Sequence, residues 1–281
     1  MTAVTNPAGA TAQPRQLIVT LYGLYAREGG GWLSVAALVR LLAGLGVEEP
    51  AVRSSISRLK RRGLLAAERR AGSAGYALTP AARQILDDGD ARIFGRRRAT
   101  AADGWVLVVF SVPESERDKR HLLRSRLARL GFGTVAPGVW IAPGHVAGEA
   151  ADALGRLGLD GYVQLFRCDH LGDRLGGRPA QVREWWDLDA LCGRYAAFLD
   201  RHGPVRARWA RRRRPDPERA FADYVALVTD WRELPYADPG LPLAVLPRGW
   251  NGVAAAGLFA DLGDRLSGPA RGHARALIAG E

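Results

Sequence analysis

Three observations predict an α+β fold that becomes mainly helical toward its C-terminal end. Two apolar-periodic helices flank a glycine-bounded turn and are followed by a hairpin pattern. A central run alternates short β-type segments with helices, and the last stretch carries three apolar stripes at helical spacing. The 281 residues suit two or three domains, and 47% hydrophobic residues are enough for real cores.

In chain order, residues 1–14 lack the basic start and long apolar core of a signal peptide and are expected to be a flexible tail. Gln16 to Arg27 follows as an amphipathic helix with Leu17, Leu21 and Leu24 on one side. Gly29-Gly30-Gly31 joins it to the next helix; with no Gly-Lys-Ser or Gly-Lys-Thr after it, it is no phosphate cradle of the Walker type. Ser34 opens the next helix, Gly44-Leu45-Gly46-Val47 makes a tight turn, and a second helix is predicted over Pro50 to Arg62. Pro50 suits a first helical position and Gly63 a left-handed residue just past the last turn. Leu64 to Leu78 reads as a hairpin with Ala71 to Gly75 at its tip, and Thr79-Pro80 opens a further helix to about Phe94. Helix, turn, helix, hairpin is the order of a winged helix-turn-helix module.

Within the second helix, Val52, Ile56 and Leu59 form one stripe facing the first helix. At about 100° per residue, Ser54, Ser57, Arg58 and Arg61 point away from that stripe, with Arg53, Lys60 and Arg62 on its flanks. No carboxylate lies between Ala51 and Arg62. Arg bonds a guanine edge or a phosphate through parallel donors, and Ser reaches either. These seven residues, with Arg69 and Arg70 on the first hairpin strand reaching phosphates, are the candidate contacts to double-stranded DNA. Residues 15–95 are expected to form this DNA-binding domain and residues 96–104, basic and then small, a linker.

Residues 105–178 are expected to form a middle domain. Trp105 to Phe110 is a Val-rich β-type run. Glu116 to Leu130 follows as a helix with Leu122, Leu123, Leu127 and Leu130 inward. Phe132 to Val135 and Val139 to Ile141 flank Pro137-Gly138, Glu149 to Leu157 is helical, and Tyr162 to Phe166 is a closing strand. That order, β-α-β-β-α-β, is ferredoxin-like. Residues 179–281 are expected to be a helical C-terminal domain. Its stripes are Leu188, Leu191, Tyr195 and Phe198; then Phe221, Tyr224, Val225 and Val228; then Ala255, Leu258, Phe259, Leu262 and Leu266. Prolines forbid a long helix across Leu234 to Trp250, and Arg211 to Arg214 reads as an exposed loop.

The net charge of +11 favours a polyanionic partner. Lysine occurs only at positions 60 and 119, so the placement of Arg on one helix face weighs more than total charge. Cys168 and Cys192 are too few for a zinc cluster or a disulfide framework and are expected to pack as small apolar groups. No apolar run approaches the roughly 18 residues of a membrane span, and a cytoplasmic protein is expected. His121, His145, His170, His202 and His273 are scattered without metal-ligand spacing; Cys168 and His170 lack an orienting third group, and Asp87-Asp88-Gly-Asp90 lacks the calcium-loop pattern. No metal, cofactor or catalytic residue is expected.

These residues resemble the PaaX family of bacterial transcriptional repressors, named for control of phenylacetate breakdown. The likeness runs from Gln16 onward. It rests on Val52-Arg53-Ser54, Ser57-Arg58-Leu59, Arg62-Gly63 and Tyr76 to Pro80; on Val108 to Glu114, Arg117, Arg120, Leu123-Arg124, Gly131-Phe-Gly133 and Pro137 to Pro143; and on Trp186-Asp-Leu188, Tyr195, Phe198, Asp238 to Pro242 and Leu246 to Trp250. The resemblance implies a homodimeric repressor on an operator near catabolic genes, released by an aryl-coenzyme A thioester such as phenylacetyl-CoA or another acyl-CoA. The effector pocket is not legible. Arg117, Arg120 and Arg124 either meet coenzyme A phosphates or form a solvated face; Trp140, Trp185 and Trp186 either line an aromatic acyl site or pack in the core.

Two other readings compete. The middle segment is also similar to the small ferredoxin-fold, endoribonuclease-like subunits of CRISPR adaptation, which place a metal-holding aspartate at the end of the first strand. Ser111 stands there, and a neutral hydroxyl is a poor sole anchor for Mg²⁺. The remaining alternative is a winged-helix adaptor that binds protein and not DNA.

Overall fold

The first described element is α1 (Pro14–Leu21), which begins two residues before the expected Gln16 because Pro14 supplies a pre-set first turn and the Gln13 amide donates to Gln16 Oε1 at 3.0 Å. This computed structural model describes residues 13–95, 97–169, 180–214 and 216–280. Most of the tail, Arg96 of the linker, the boundary between residues 178 and 179, and His170 lie outside the described residues. The described residues combine helices with two small sheets, and the C-terminal region is helical. They group into two compact units: those within Met1–Asp90, Arg201–Trp231 and Gly257–Glu281, and those within Ala91–Asp200 and Arg232–Ala256.

In the first unit α1 runs through a wider turn, Tyr22–Ala26, to β1 (Trp32–Ser34), α2 (Val35–Ala43) and α3 (Glu49–Arg61). Ser34 caps α2 as expected, its hydroxyl accepting from the Ala37 amide at 3.0 Å. Gly46 takes a positive φ of 75° in the connecting turn, and the Val47 amide closes it onto the Leu42 carbonyl at 2.9 Å. β2 (Leu65–Arg70) and β3 (Ser73–Leu78) then pair antiparallel, with Arg70 opposite Ser73. The hairpin tip is therefore Ala71-Gly72 alone, both at positive φ, a two-residue turn whose twist matches the strands. Ser73, Ala74 and Gly75, expected in the tip, belong to the ladder.

β1 was not legible in the sequence, since three residues are too few to show a period of two. It pairs with β3 to give the order β1-β3-β2. Gly75 makes that pairing possible: a Cβ there would lie 2.5 Å from the Trp32 ring and from the Leu33 carbonyl. α4 (Pro80–Ile93) follows, opened by Thr79, whose hydroxyl accepts from the Ala82 amide at 3.2 Å. C-terminal helical residues complete this unit. On α9 (Pro217–Trp231), Phe221, Val225 and Val228 are buried, and Thr229 Oγ1 lies 2.8 Å from Thr20 Oγ1. His202 Nε2 sits 2.8 Å from Asp230, and Arg40 Nε donates to the Leu277 carbonyl at 2.8 Å.

The second unit holds an antiparallel sheet of order β5-β6-β4-β7, made by β4 (Trp105–Phe110), β5 (Gly133–Ala136), β6 (Val139–Pro143) and β7 (Val163–Cys168). Its core joins Val106 and Val108 of β4 and Trp140 and Ala142 of β6 to Leu123 and Leu127 of α5 (Arg117–Arg129) and Ala150 and Leu154 of α6 (Ala147–Arg156). Leu122 was expected inward and is exposed: Leu123, Leu127 and Leu130 set the stripe at four- and three-residue spacing, and Leu122 falls about 100° off it.

A smaller cluster gathers Val182 of α7 (Ala180–Trp185), Leu188 of α8 (Leu188–Ala210), Leu241 and Leu246, with Trp105, Trp185 and Trp186 packed on it. The proline-rich stretch forms only α10 (Leu234–Ala237) and a short turn at Leu243–Val245 before α11 (Gly252–Ala279). The three apolar stripes expected of the C-terminal region are buried on α8, α9 and α11.

Candidate nucleic-acid interface

α3 is held from beneath. Val52, Ile56 and Leu59 are at most 4% exposed, and Ser55 is buried with them. Burying three aliphatic side chains stabilises this seat by roughly 1.5–3 kcal/mol each, which fixes the helix's rotation and therefore which residues face outward. Those residues are Arg53, Ser54, Ser57, Arg58, Lys60, Arg61 and Arg62, all exposed. Gly63 ends the helix at a φ of 68°, and its amide donates to the Lys60 carbonyl at 2.9 Å.

The helix starts one residue earlier than expected, so Pro50 is its second residue and Glu49 its first. A carboxylate therefore borders the face: Glu49 Oε1 accepts from Arg53 Nε at 2.9 Å and from Nη2 at 2.5 Å. Arg53 is exposed but already paired. Lys60 leans toward the hairpin, 5.8 Å from the Tyr76 ring centroid. Arg69 is exposed and donates to the Gly72 carbonyl at 3.3 Å. Arg70 is half-buried, paired with Glu68 at 2.5 Å and lying 5.7 Å over the Trp32 ring.

Arg58, Arg61 and Arg62 differ from these. None has an ion pair or hydrogen bond among the described residues, and together with Leu59 and Arg15 of α1 they line an open hollow of about 180 Å³. Arg15 was not legible as a site residue, because its position beside α3 follows only from how α1 packs on that helix. The one sequence signal was its place next to Pro14 at a helix start, on a helix whose apolar side faces inward. Ser54, Ser57, Arg58 and Arg61 thus share one outward face, as the wheel predicted, while Arg69 and Arg70 belong to the adjoining hairpin.

Arg120 is held by Glu114 at 2.7 Å and by the Val112 carbonyl at 2.7 Å, while Arg117 and Arg124 are exposed. Trp140 is 7% exposed within the sheet core, and Trp185 and Trp186 pack against Trp105 with ring centroids 6.1 and 6.2 Å away. Ser111 follows the end of β4, its amide donating to the Tyr162 carbonyl at 3.1 Å. Among the described residues no three His, Cys, Asp or Glu side chains are grouped to hold a metal ion. Cys168 and Cys192 are unbridged and half-buried. Burial pushes both thiols up, helped at Cys168 by Asp169, so they stay protonated near neutral pH. No helix among the described residues is long and apolar enough to cross a membrane.

Comparison with known proteins covers nearly the whole chain. Residues 13–82 match the family described as PaaX-like protein, residues 98–177 the PaaX protein central Cas2-like domain, and residues 186–276 the PaaX-like protein C-terminal domain. The chain is 28% identical over 256 residues to the Transcriptional repressor PaaX of Escherichia coli (strain K12), spanning 89% of this chain and 79% of that protein. It is similar in fold to the Uncharacterized protein Rv0674 from Mycobacterium tuberculosis, with a TM-score of 0.55 at 20% identity, covering 95% of this chain and 100% of that one. With three matched segments in the order of the family's own parts, the chain belongs to the PaaX family.

Proposed function

We propose that this protein is a DNA-binding transcriptional regulator acting as a repressor, with α3 as its recognition helix. The observation that carries this reading is the outward face of α3: hydroxyls and guanidinium groups on a helix whose opposite stripe is buried, with three of the arginines free of any partner among the described residues. The similarity to a transcriptional repressor supports it. On this reading residues 15–95 are a winged helix-turn-helix domain, with the β2–β3 hairpin as wing. Residues 105–178 are a ferredoxin-like domain, and 179–281 a helical domain, a division in keeping with the three matched segments. Ser54, Ser57, Arg58 and Arg61 face the groove, flanked by Arg53, Lys60 and Arg62, and Arg69 and Arg70 approach neighbouring phosphates.

The repressor works as a homodimer that sets two α3 helices in successive major grooves, with half-sites about one helical turn, ~34–36 Å, or a multiple of it apart. An acyl-CoA effector, phenylacetyl-CoA in the family's namesakes, releases it by binding one arrangement of the two wings better than the other. The middle and C-terminal domains carry the dimer interface and the effector site, and the segment from Gly95 to Gly104 transmits the change. The regulated genes are then those of a catabolic operon.

Footprinting on the promoter regions around its own gene, repeated over a range of salt, tests this. A protected dyad and an affinity falling steeply with salt are expected. An affinity indifferent to salt, or protection of one unpaired half-site, overturns the recognition helix or the dimer respectively. A melting-temperature screen of acyl-CoA thioesters against the free acids tests the effector.

A further inference from the structure

Arg15 of α1 and Arg58, Arg61 and Arg62 at the C-terminal end of α3 line one open hollow of about 180 Å³, together with Leu59. Among the described residues no carboxylate or carbonyl neutralises any of the four, while Arg53, one turn or two earlier on α3, is tied to Glu49. Four arginines that line one hollow and have no partner among the described residues leave a concentration of positive charge that an anion from outside can balance. Their forked donors match phosphate oxygens.

We infer that these four arginines form one cradle for a backbone phosphate of duplex DNA, so that the C-terminal end of α3 grips the wall of the groove and does not read bases. This rests on α3 being the recognition helix, as proposed above. Helix geometry supports the division of labour. At 1.5 Å per residue, Ser54 and Arg61 are separated by about 10 Å along α3, and a recognition helix sets its N-terminal residues on the base edges. With Ser54 and Ser57 over the base edges, Arg61 and Arg62 arrive at the sugar-phosphate wall, where Arg15 of α1 meets the same phosphate from the other side. Base reading then falls to Ser54 and Ser57. Lys60, turned toward Tyr76, lies outside the cradle.

The test uses the full chain and two duplexes, one of random sequence and one enriched by selection on the wild-type protein. Arg15→Ala and Arg61→Ala are expected to lower affinity for both duplexes by the same factor, roughly tenfold. They should also reduce the steepness of log affinity against log salt, by no more than ~0.9 because the four arginines share one phosphate. Ser57→Ala is expected to weaken binding to the selected duplex only. Melting temperatures equal to wild type confirm that the variants fold. If Arg15→Ala binds both duplexes as wild type does, or if Arg61→Ala loses affinity for the selected duplex alone, the cradle is wrong while the regulator stands. If inorganic pyrophosphate raises the melting temperature and Arg15→Ala leaves duplex affinity intact, the site belongs to a small phosphorylated ligand and the inference falls. A wild-type protein that binds neither duplex overturns the regulator and the cradle together.

Discussion

Arg98 in the second unit donates to the Leu241 carbonyl at 2.8 Å and to Asp238 at 3.2 Å, and its guanidinium lies 5.8 Å from the Trp250 ring centroid. Arg58, Arg61 and Arg62 in the first unit are exposed, with no partner among the described residues. The same side chain serves two ends, and what separates them is the company of acceptors. Asp238 has a fully buried carboxylate that also accepts from Tyr195 Oη at 2.7 Å and from the Gly240 amide at 2.8 Å. A buried charge persists only when such bonds surround it. The α3 arginines stay in water, where an unpaired cation is tolerated, and they remain free to exchange that water for an external anion. A basic protein of this kind is better described by which of its arginines are already satisfied than by its net charge of +11.

The sharpest way to break that contrast is to remove the acceptor. Asp238→Ala leaves Arg98, the Tyr195 hydroxyl and the Gly240 amide without a shared partner in a buried setting. It should cost about 3–5 kcal/mol of unfolding free energy, seen as a lower denaturant midpoint. Asp238→Asn keeps an acceptor for Tyr195 and should lose less. A wild-type midpoint for Asp238→Ala would show that the Arg98 network does not hold the second unit together.

Removing the unpaired arginines should do the reverse. Arg58→Ala is expected to change stability by no more than about 0.5 kcal/mol, as for a surface substitution with no buried partner. It should weaken binding to any duplex by roughly tenfold, as for the other cradle arginines, measured by anisotropy on labelled DNA. Loss of stability comparable to that of Asp238→Ala would place Arg58 with the structural arginines.

Local features of the fold were legible in the sequence because they are written in periodicity and punctuation. The run from Trp105 to Phe110 is β4 residue for residue, Ser34 and Thr79 cap the helices assigned to them, and the Val52, Ile56, Leu59 stripe is buried as read. The exposure of the α3 face followed from the same wheel. What escaped were contacts between residues far apart in sequence. Nothing local pairs Arg98 with Asp238, Arg15 announces itself only once α1 has packed on α3, and β1 exists because Gly75 lets the Trp32 ring approach β3. The hairpin tip is shorter than the sequence suggests for a related reason: Gly75 signals a turn in one dimension and a close approach in three. The start of α3 at Glu49 was not legible, because Pro50 is equally at home at the first or second helical position.

That one residue gives the finest test of the comparison, since Arg53 stands between its two classes, exposed like Arg61 yet paired like Arg98. Its salt bridge to Glu49 is a surface contact between neighbours one helical turn apart and contributes only about 0.3–0.5 kcal/mol. Glu49 in the first turn also complements the helix dipole by roughly 0.3–1 kcal/mol. Glu49→Gln should therefore lower stability slightly, by no more than ~1 kcal/mol on these two effects. It should also release Arg53 and remove a negative charge from the border of the exposed α3 face, so duplex affinity should rise and its salt dependence steepen if that face meets DNA. Weaker binding instead would mean that Glu49 holds Arg53 in the geometry a base edge requires, and pairing would then be part of recognition and not a restraint on it.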